Sequence, residues 1–277
     1  MKIPLLMTLL LSFIFVYFPV WKGLILAWYN SDDYSHGFFI IPIILYSLWQ
    51  KRDTLSRLPV QTSRLGLILL VFSLALYILA LYAEVKTLAS LAMVFAIVNA
   101  VLFLCGFVIF REIFFVLCFL FFMVPVPAQI YSAATIPLQF IVSQVSVWVS
   151  MLFGIPIFRE GNIIHLPERT LEVVQACSGL RSLMSLLTLS AIIAYFTLRS
   201  NWLRMLLLFT GIPAAIVVNI IRVLIIIFSF YYLGFDLTEG AVHTVFGIAV
   251  FALAIALVLF VKGVLSFWDR PVIEKSA

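Results

Sequence analysis

The chain has 277 residues, 65% of them hydrophobic and only 10% charged. Soluble domains are about half apolar and a quarter charged, so this composition excludes a water-soluble globule and points to a protein solvated by lipid. The net charge of +5 sits in short loops where a positive-inside bias would put it, which excludes a nucleic-acid footprint.

With no water to bond a bare backbone, long apolar runs in lipid must be helices. The pattern predicts spans at 4–28, 34–50, 66–83, 87–110, 112–130, 178–198, 205–233 and 241–262. The first run lacks a small-residue cleavage site and is expected to remain as an anchor. His36 and Pro42 interrupt the second span, and Pro125 and Pro127 break the fifth near one end. Cys105 and Cys118 lie inside apolar runs, where a thiol packs as a small hydrophobe.

Basic residues set the orientation. Lys51, Arg52, Arg57 and Arg64 crowd one loop, Arg199 and Arg204 mark another, and Lys262, Arg270 and Lys275 follow the last span. That side is the cytoplasm. The opposite loops carry Asp32, Asp33, Glu84, Glu160, Glu168, Glu172, Asp236 and Glu239. The two sides alternate through eight spans, with both termini cytoplasmic.

Two external segments separate the fifth and sixth spans. Between Tyr131 and Met151, Ser132, Thr135, Gln139, Ser143, Ser146 and Ser150 recur at helical spacing and make one polar stripe. The alternation needs both ends of this amphipathic helix outside. It is therefore expected in the outer interface or against the bundle, either at the headgroups or lining a substrate groove. From Ile155 to Val174, β-branched residues punctuated by Gly154, Pro156, Gly161 and Pro167 predict a small strand pair or extended loop.

That segment leads into Cys177, at the outer end of the sixth span. A helix N-terminus carries roughly half a positive charge, which favours the thiolate. Arg181, four residues on, shares the face. From Met205 to Arg222 the seventh span rises about 26 Å across a core about 30 Å thick, so Arg222 nears the outer edge. Asn219 stands one turn earlier on the same face, and His243 opens the eighth span. An arginine at mid-bilayer costs about 2.5 kcal/mol or more, so it usually has a partner or a task.

Each residue also has an ordinary reading. Cys177 would pack, Arg222 would snorkel to a lipid phosphate, and His243 would be a hydrogen-bonded surface residue. The shared depth of thiol, guanidinium and imidazole favours chemistry. His36 and His165 are rival histidines. No His-x-x-x-His spacing points to a metal, three cysteines give no disulfide framework, and no cofactor is expected.

The stretches Ala176-Cys177-Ser178-Gly179-Leu180-Arg181, Asn219-Ile220-Ile221-Arg222 and His243 with Gly247 closely resemble the exosortase family. The likeness extends to Asp33-Tyr34-Ser35-His36-Gly37, Met123-Val124-Pro125-Val126-Pro127, Gly154-Ile155-Pro156 and Arg159-Glu160-Gly161-Asn162. The resemblance implies a bacterial inner-membrane sorting enzyme with its active site facing the periplasm. Its substrates would be membrane-anchored proteins with a C-terminal sorting signal, often Pro-Glu-Pro, followed by one transmembrane helix and an arginine cluster. Such systems accompany exopolysaccharide production. The family's cysteine, arginine and histidine carry over onto Cys177, Arg222 and His243, with Arg181 and Asn219 as supporting residues.

The whole is then expected to be one multi-pass all-α membrane domain over 1–277. Residues 130–176 would form the periplasmic amphipathic helix with its strand or loop segment, and 177–262 the catalytic helices. A thioester acyl-enzyme would be resolved by water or by transfer to an unknown acceptor. The competing expectation is a polysaccharide or lipid transporter or flippase component in which Cys177 only packs. Gly/Pro-broken spans at matching places in two halves, the mark of many transporters, are not apparent.

Overall fold

The computed structural model describes residues 3–31, 33–167, 169–172, 178–238 and 240–269. The chain divides into two compact units, Met1–Pro127 and Ala128–Ala277. The first holds α1 (Ile3–Val16), α2 (Phe18–Asn30), α3 (Gly37–Gln50), α4 (Arg52–Arg57), α5 (Arg64–Tyr82) and α6 (Lys86–Cys118), which continues as a 3-10 turn, Phe119–Met123. The second holds α7 (Ala128–Leu152), strands β1 (Phe158–Glu160), β2 (Ile163–Leu166) and β3 (Arg169–Glu172), then α8 (Ser178–Thr197), α9 (Asn201–Leu233) and α10 (Gly240–Ser266).

Five helices are long and apolar enough to cross a membrane, or six if the bent α1–α2 pair counts as one span. The expected count is eight. The expected first span, 4–28, is two helices meeting at 65°. Pro19 lies in the first turn of α2, where its ring and missing N–H start a helix but cannot continue one. At the bend the Tyr77 hydroxyl donates to the Val16 carbonyl at 2.8 Å. The helix α3 and the described apolar part of α8, Leu183–Thr197, are shorter than a full span.

The expected boundary between the fourth and fifth spans also differs. Residues Lys86–Met123 form one helical run of 38 residues, which if straight would extend about 57 Å, nearly twice the bilayer core. It is broken at Gly106, whose φ of 81° and ψ of 176° leave the helical region. Gln61 N donates to the Cys105 carbonyl and Ser63 N to the Phe103 carbonyl, so the break packs against the backbone leading into α5. Beyond it, Lys51 at the end of α3 pairs with Glu112 at 2.5 Å. The expected fourth and fifth spans are therefore the two arms of one interrupted helix.

The polar stripe of α7 has a packing role that its composition left open. Thr135, Gln139, Ser143, Ser146 and Ser150 are buried, whereas Ser132 is exposed. The hydroxyls of Thr135, Ser143 and Ser150 donate back to the carbonyls of Tyr131, Phe140 and Ser146. Small, self-satisfied side chains cost little to bury and let a neighbouring helix approach closely. The helix packs along α9, and by length and composition it is itself a candidate span. It is not a headgroup helix with its polar side in water.

Where a strand pair or loop is expected, three antiparallel strands form a β1-β2-β3 meander. Ile164, Leu166 and Leu171 on its inner face pack with Val223, Ile226 and Ile227 of α9 and with Val142 and Val147 of α7. Asn162, at the β1–β2 turn, donates to Gln139 Oε1 at 2.8 Å. At one end of this unit, Tyr232 Oη donates to the Phe153 carbonyl, linking the ends of α9 and α7. At the other, Asp269 accepts from the backbone N–H groups of Arg199 and Ser200, tying the end of α10 to the α8–α9 turn.

Gly106 yields a direct test. Its backbone lies in a region essentially reserved for glycine, and a Cβ there would stand 2.0 Å from the Gln61 carbonyl oxygen. Gly106→Ala is expected to destabilise the protein by about 1–3 kcal/mol. Gly263, in α10 with nothing within 4 Å of its added Cβ, is the control; Gly263→Ala is expected to be neutral or stabilising by up to about 1 kcal/mol. Unfolding transitions of both variants in detergent would measure the contrast.

Candidate active site

One face of α9 carries the polar residues of interest. Gly211, Ala214, Ala215, Val218, Asn219 and Arg222 are all buried. The small residues let α8 close in: a Cβ on Gly211 would lie 3.1 Å from Ser190 Oγ and 3.2 Å from Leu187 Cδ2. Asn219 and Arg222, one turn apart, retain only 1% and 2% exposure. This burial rules out snorkelling to a lipid headgroup. The Arg222 guanidinium carbon instead lies 5.9 Å from the centroid of the Phe246 ring on α10, a cation–π distance.

Asn219 and Arg222 line a cavity of about 20 Å³ together with Leu186 of α8 and Gly247, Val250 and Ala254 of α10. Its size matches a single water-sized group, and its polar lining is the amide and the guanidinium. Neither Asn219 Oδ1 nor Nδ2 has a hydrogen-bond partner among the described residues. A buried amide left this way costs about 1–3 kcal/mol, a cost that packing alone would have removed by an apolar residue.

His243 is half-buried near the start of α10. Its Nδ1 lies 3.3 Å from the Leu237 carbonyl. A carbonyl only accepts, so this contact puts a proton on Nδ1, and in the neutral ring Nε2 then carries the lone pair. Phe246 and Gly247 follow His243 by one turn on the same face of α10. Arg222 touches the first and shares the cavity wall with the second. The guanidinium thus packs beside the turn of α10 that follows His243.

Cys177 lies outside the described residues, between the end of β3 at Glu172 and the start of α8 at Ser178. Arg181 falls in the first turns of α8, but its side chain is outside the described set as well. The arrangement brought together here is therefore Asn219, Arg222 and the His243 face of α10.

The rival histidines have other attachments. His36 Nε2 lies 3.1 Å from the Phe122 carbonyl, Tyr34 Oη donates to the Val126 carbonyl, and Trp28 Nε1 donates to the Met123 carbonyl. Two of the sequence motifs, Asp33–Gly37 and Met123–Pro127, are thereby clipped to one another. A Cβ on Gly37 would strike the Trp28 ring at 2.4 Å, so the clip admits no larger residue. His165 stacks on Phe158 at 4.5 Å and lies 3.3 Å from Thr170 Oγ1 and 3.4 Å from Glu160. The contacts of His165 stay within its own sheet segment, whereas that of His36 reaches the turn after α6. A wider groove of about 700 Å³ in the first unit, bordered by Lys22, Glu84 and Lys86, contains none of the candidate residues. Among the described residues, no three His, Cys, Asp or Glu side chains gather to hold a metal.

Sequence reasoning passed over one cluster. Arg169 on β3 pairs with Asp236 and donates to Thr238 Oγ1 at 3.1 Å, in the loop just before His243. Arg169 is a basic residue on the side that the charge bias expects to be acidic, and that departure is the signal that could have found it.

A helical chain with five or six candidate spans and a buried amide–guanidinium wall defines a multi-pass membrane protein with an internal polar site. The family model described as transmembrane exosortase matches residues 28–260, a stretch that contains every motif quoted above. The chain belongs to the transmembrane exosortase family. No curated protein and no solved structure matches it.

The unpartnered amide has a stability consequence. Asn219→Leu is expected to leave the unfolding temperature of the detergent-solubilised protein unchanged or raised, because an unsatisfied buried polar group is replaced by an apolar one. A large drop in that temperature would show instead that the amide bonds within the folded bundle.

Proposed function

We propose that this protein processes membrane-anchored proteins carrying a C-terminal sorting signal of the Pro-Glu-Pro type, at the periplasmic face of the bacterial inner membrane. The match to the exosortase family across residues 28–260 carries this reading. Membership of that family supports a sorting-signal role and membrane-protein substrates. The buried Asn219–Arg222 wall beside the His243 face of α10 supports the division of labour among the residues.

In this mechanism the Cys177 thiolate attacks the scissile carbonyl, and the C–N bond breaks as an S–C(O) thioester forms. His243 Nε2 takes the thiol proton and delivers it to the departing amine. Its Nδ1–H, donated to the Leu237 carbonyl, keeps the ring in the tautomer that this step requires. Arg222 donates hydrogen bonds to the tetrahedral oxyanion; one such donor is worth about 3 kcal/mol, roughly a hundredfold in rate. The Asn219 amide holds a substrate carbonyl, which accounts for burying it without a partner among the described residues. Arg181 raises the positive potential near the thiol. Water then releases a carboxylate, or an amine acceptor takes the acyl group and yields a new amide.

Mass spectrometry of a sorting-signal substrate, co-expressed with the protein, tests the proposal. Cys177→Ala and Cys177→Ser are expected to abolish the shortened product at normal membrane abundance. Arg222→Ala and His243→Ala are expected to lower the rate about a hundredfold or more. Unchanged cleavage in the Cys177 variants would reject the nucleophile and leave a transport or scaffold role. The mass of the new C-terminus distinguishes hydrolysis from transfer.

A further inference from the structure

The loop between α9 and α10 is short, and each of its described residues is held. Gly234 N and Phe235 N donate to the carbonyls of Phe230 and Ser229, and Ser229 Oγ donates to the Phe235 carbonyl. Leu237 packs on the core beneath the sheet. Asp236 Oδ1 accepts from both the backbone N–H and the hydroxyl of Thr238, at 2.8 and 2.6 Å. Asp236 Oδ2 meets Arg169 Nη1, while Arg169 Nη2 reaches Thr238 Oγ1 at 3.1 Å. The guanidinium also lies 5.6 Å from the Phe230 ring centroid. With both the ion pair's side chains 28% exposed, the pair is partly screened from solvent, and a charge-assisted contact of this kind is stronger than a neutral one.

Asp236 and Thr238 flank Leu237, whose carbonyl accepts from His243 Nδ1. Fixing both neighbours fixes the peptide plane between them. We infer that Arg169 is a positioning residue for His243: through Asp236 and Thr238 it aims the Leu237 carbonyl at Nδ1 and so selects the Nδ1–H tautomer. Arg169 begins β3, the strand after which the chain runs on to Cys177. One guanidinium therefore ties the strand that precedes the thiol to the loop that precedes the imidazole. That functional meaning rests on the proposed catalytic role of His243, whereas the effect on the ring does not.

The test reads the ring without any substrate, so it stands apart from the outcome of the processing assay. The full chain, labelled with 15N-histidine and held in lipid nanodiscs, has only three histidines to assign. At about pH 8 an ordinary imidazole is neutral, and the two nitrogen shifts report which one bears the proton. The wild type is expected to show His243 protonated on Nδ1. Arg169→Met is expected to lose that signature and gain the Nε2–H form. Asp236→Asn, which keeps the Oδ1 acceptor for Thr238 but removes the charge facing Arg169, is expected to do the same without altering the sheet. His36, in the other unit, should be unchanged in each case and reports that the fold persists. A wild-type His243 protonated on Nε2, or retention of the Nδ1–H signature in either variant, overturns the inference.

Discussion

A guanidinium buried among apolar helices is the constraint around which the second unit is organised. In lipid, a polar atom that lacks water must find its partners within the protein or serve a purpose that justifies its cost. Arg222 sits on a helix whose preceding turns are built of glycine and alanine, so neighbouring helices approach closely enough to cover it. Phe246 offers its ring face, and Asn219 supplies the other polar group on the same wall. The self-satisfied serines and threonine of α7 solve the same problem differently, by returning their hydroxyls to their own backbone.

A second constraint is the mismatch between apolar length and membrane thickness. The chain resolves it with residues that interrupt helices locally. Pro19 stops the first helix from continuing into the second, and Gly106 breaks a run too long to cross once. Both interruptions are covered by donors from elsewhere: Tyr77 at the first, the backbone of Gln61 and Ser63 at the second. A break in a membrane helix frees backbone groups, and these breaks persist because neighbouring segments take up the freed groups.

The small sheet brings the two constraints to bear on the site. Its apolar face packs onto α9 at Val223, immediately after Arg222, and its first turn bonds to Gln139 in the α7 stripe. Through Arg169 it also grips the loop that holds the His243 carbonyl partner. A segment read from the sequence as a strand pair or extended loop is a three-stranded bracket across α7, α9 and the loop before α10. This arrangement allows side chains from separate helices to be held at fixed angles, which catalysis by preorganised hydrogen bonds requires.

Sequence alone determined the solvent, the helical class and the residues worth watching. Apolar runs have no other stable form in lipid, and cysteine, arginine and histidine stand out against 10% charge. The Cys177, Arg222 and His243 motifs also carried the family resemblance. Sequence could not say that the α7 stripe faces inward, because a periodicity of three and four gives a face but not its neighbour. Nor could it show Arg222 packing against Phe246, since depth counted along one helix ignores how the next is set against it. The clip between Tyr34–His36 and the Phe122–Val126 carbonyls, and the Arg169–Asp236 pair, join residues distant in the chain. Such pairings depend on side-chain reach across packed elements, and only tertiary structure decides them.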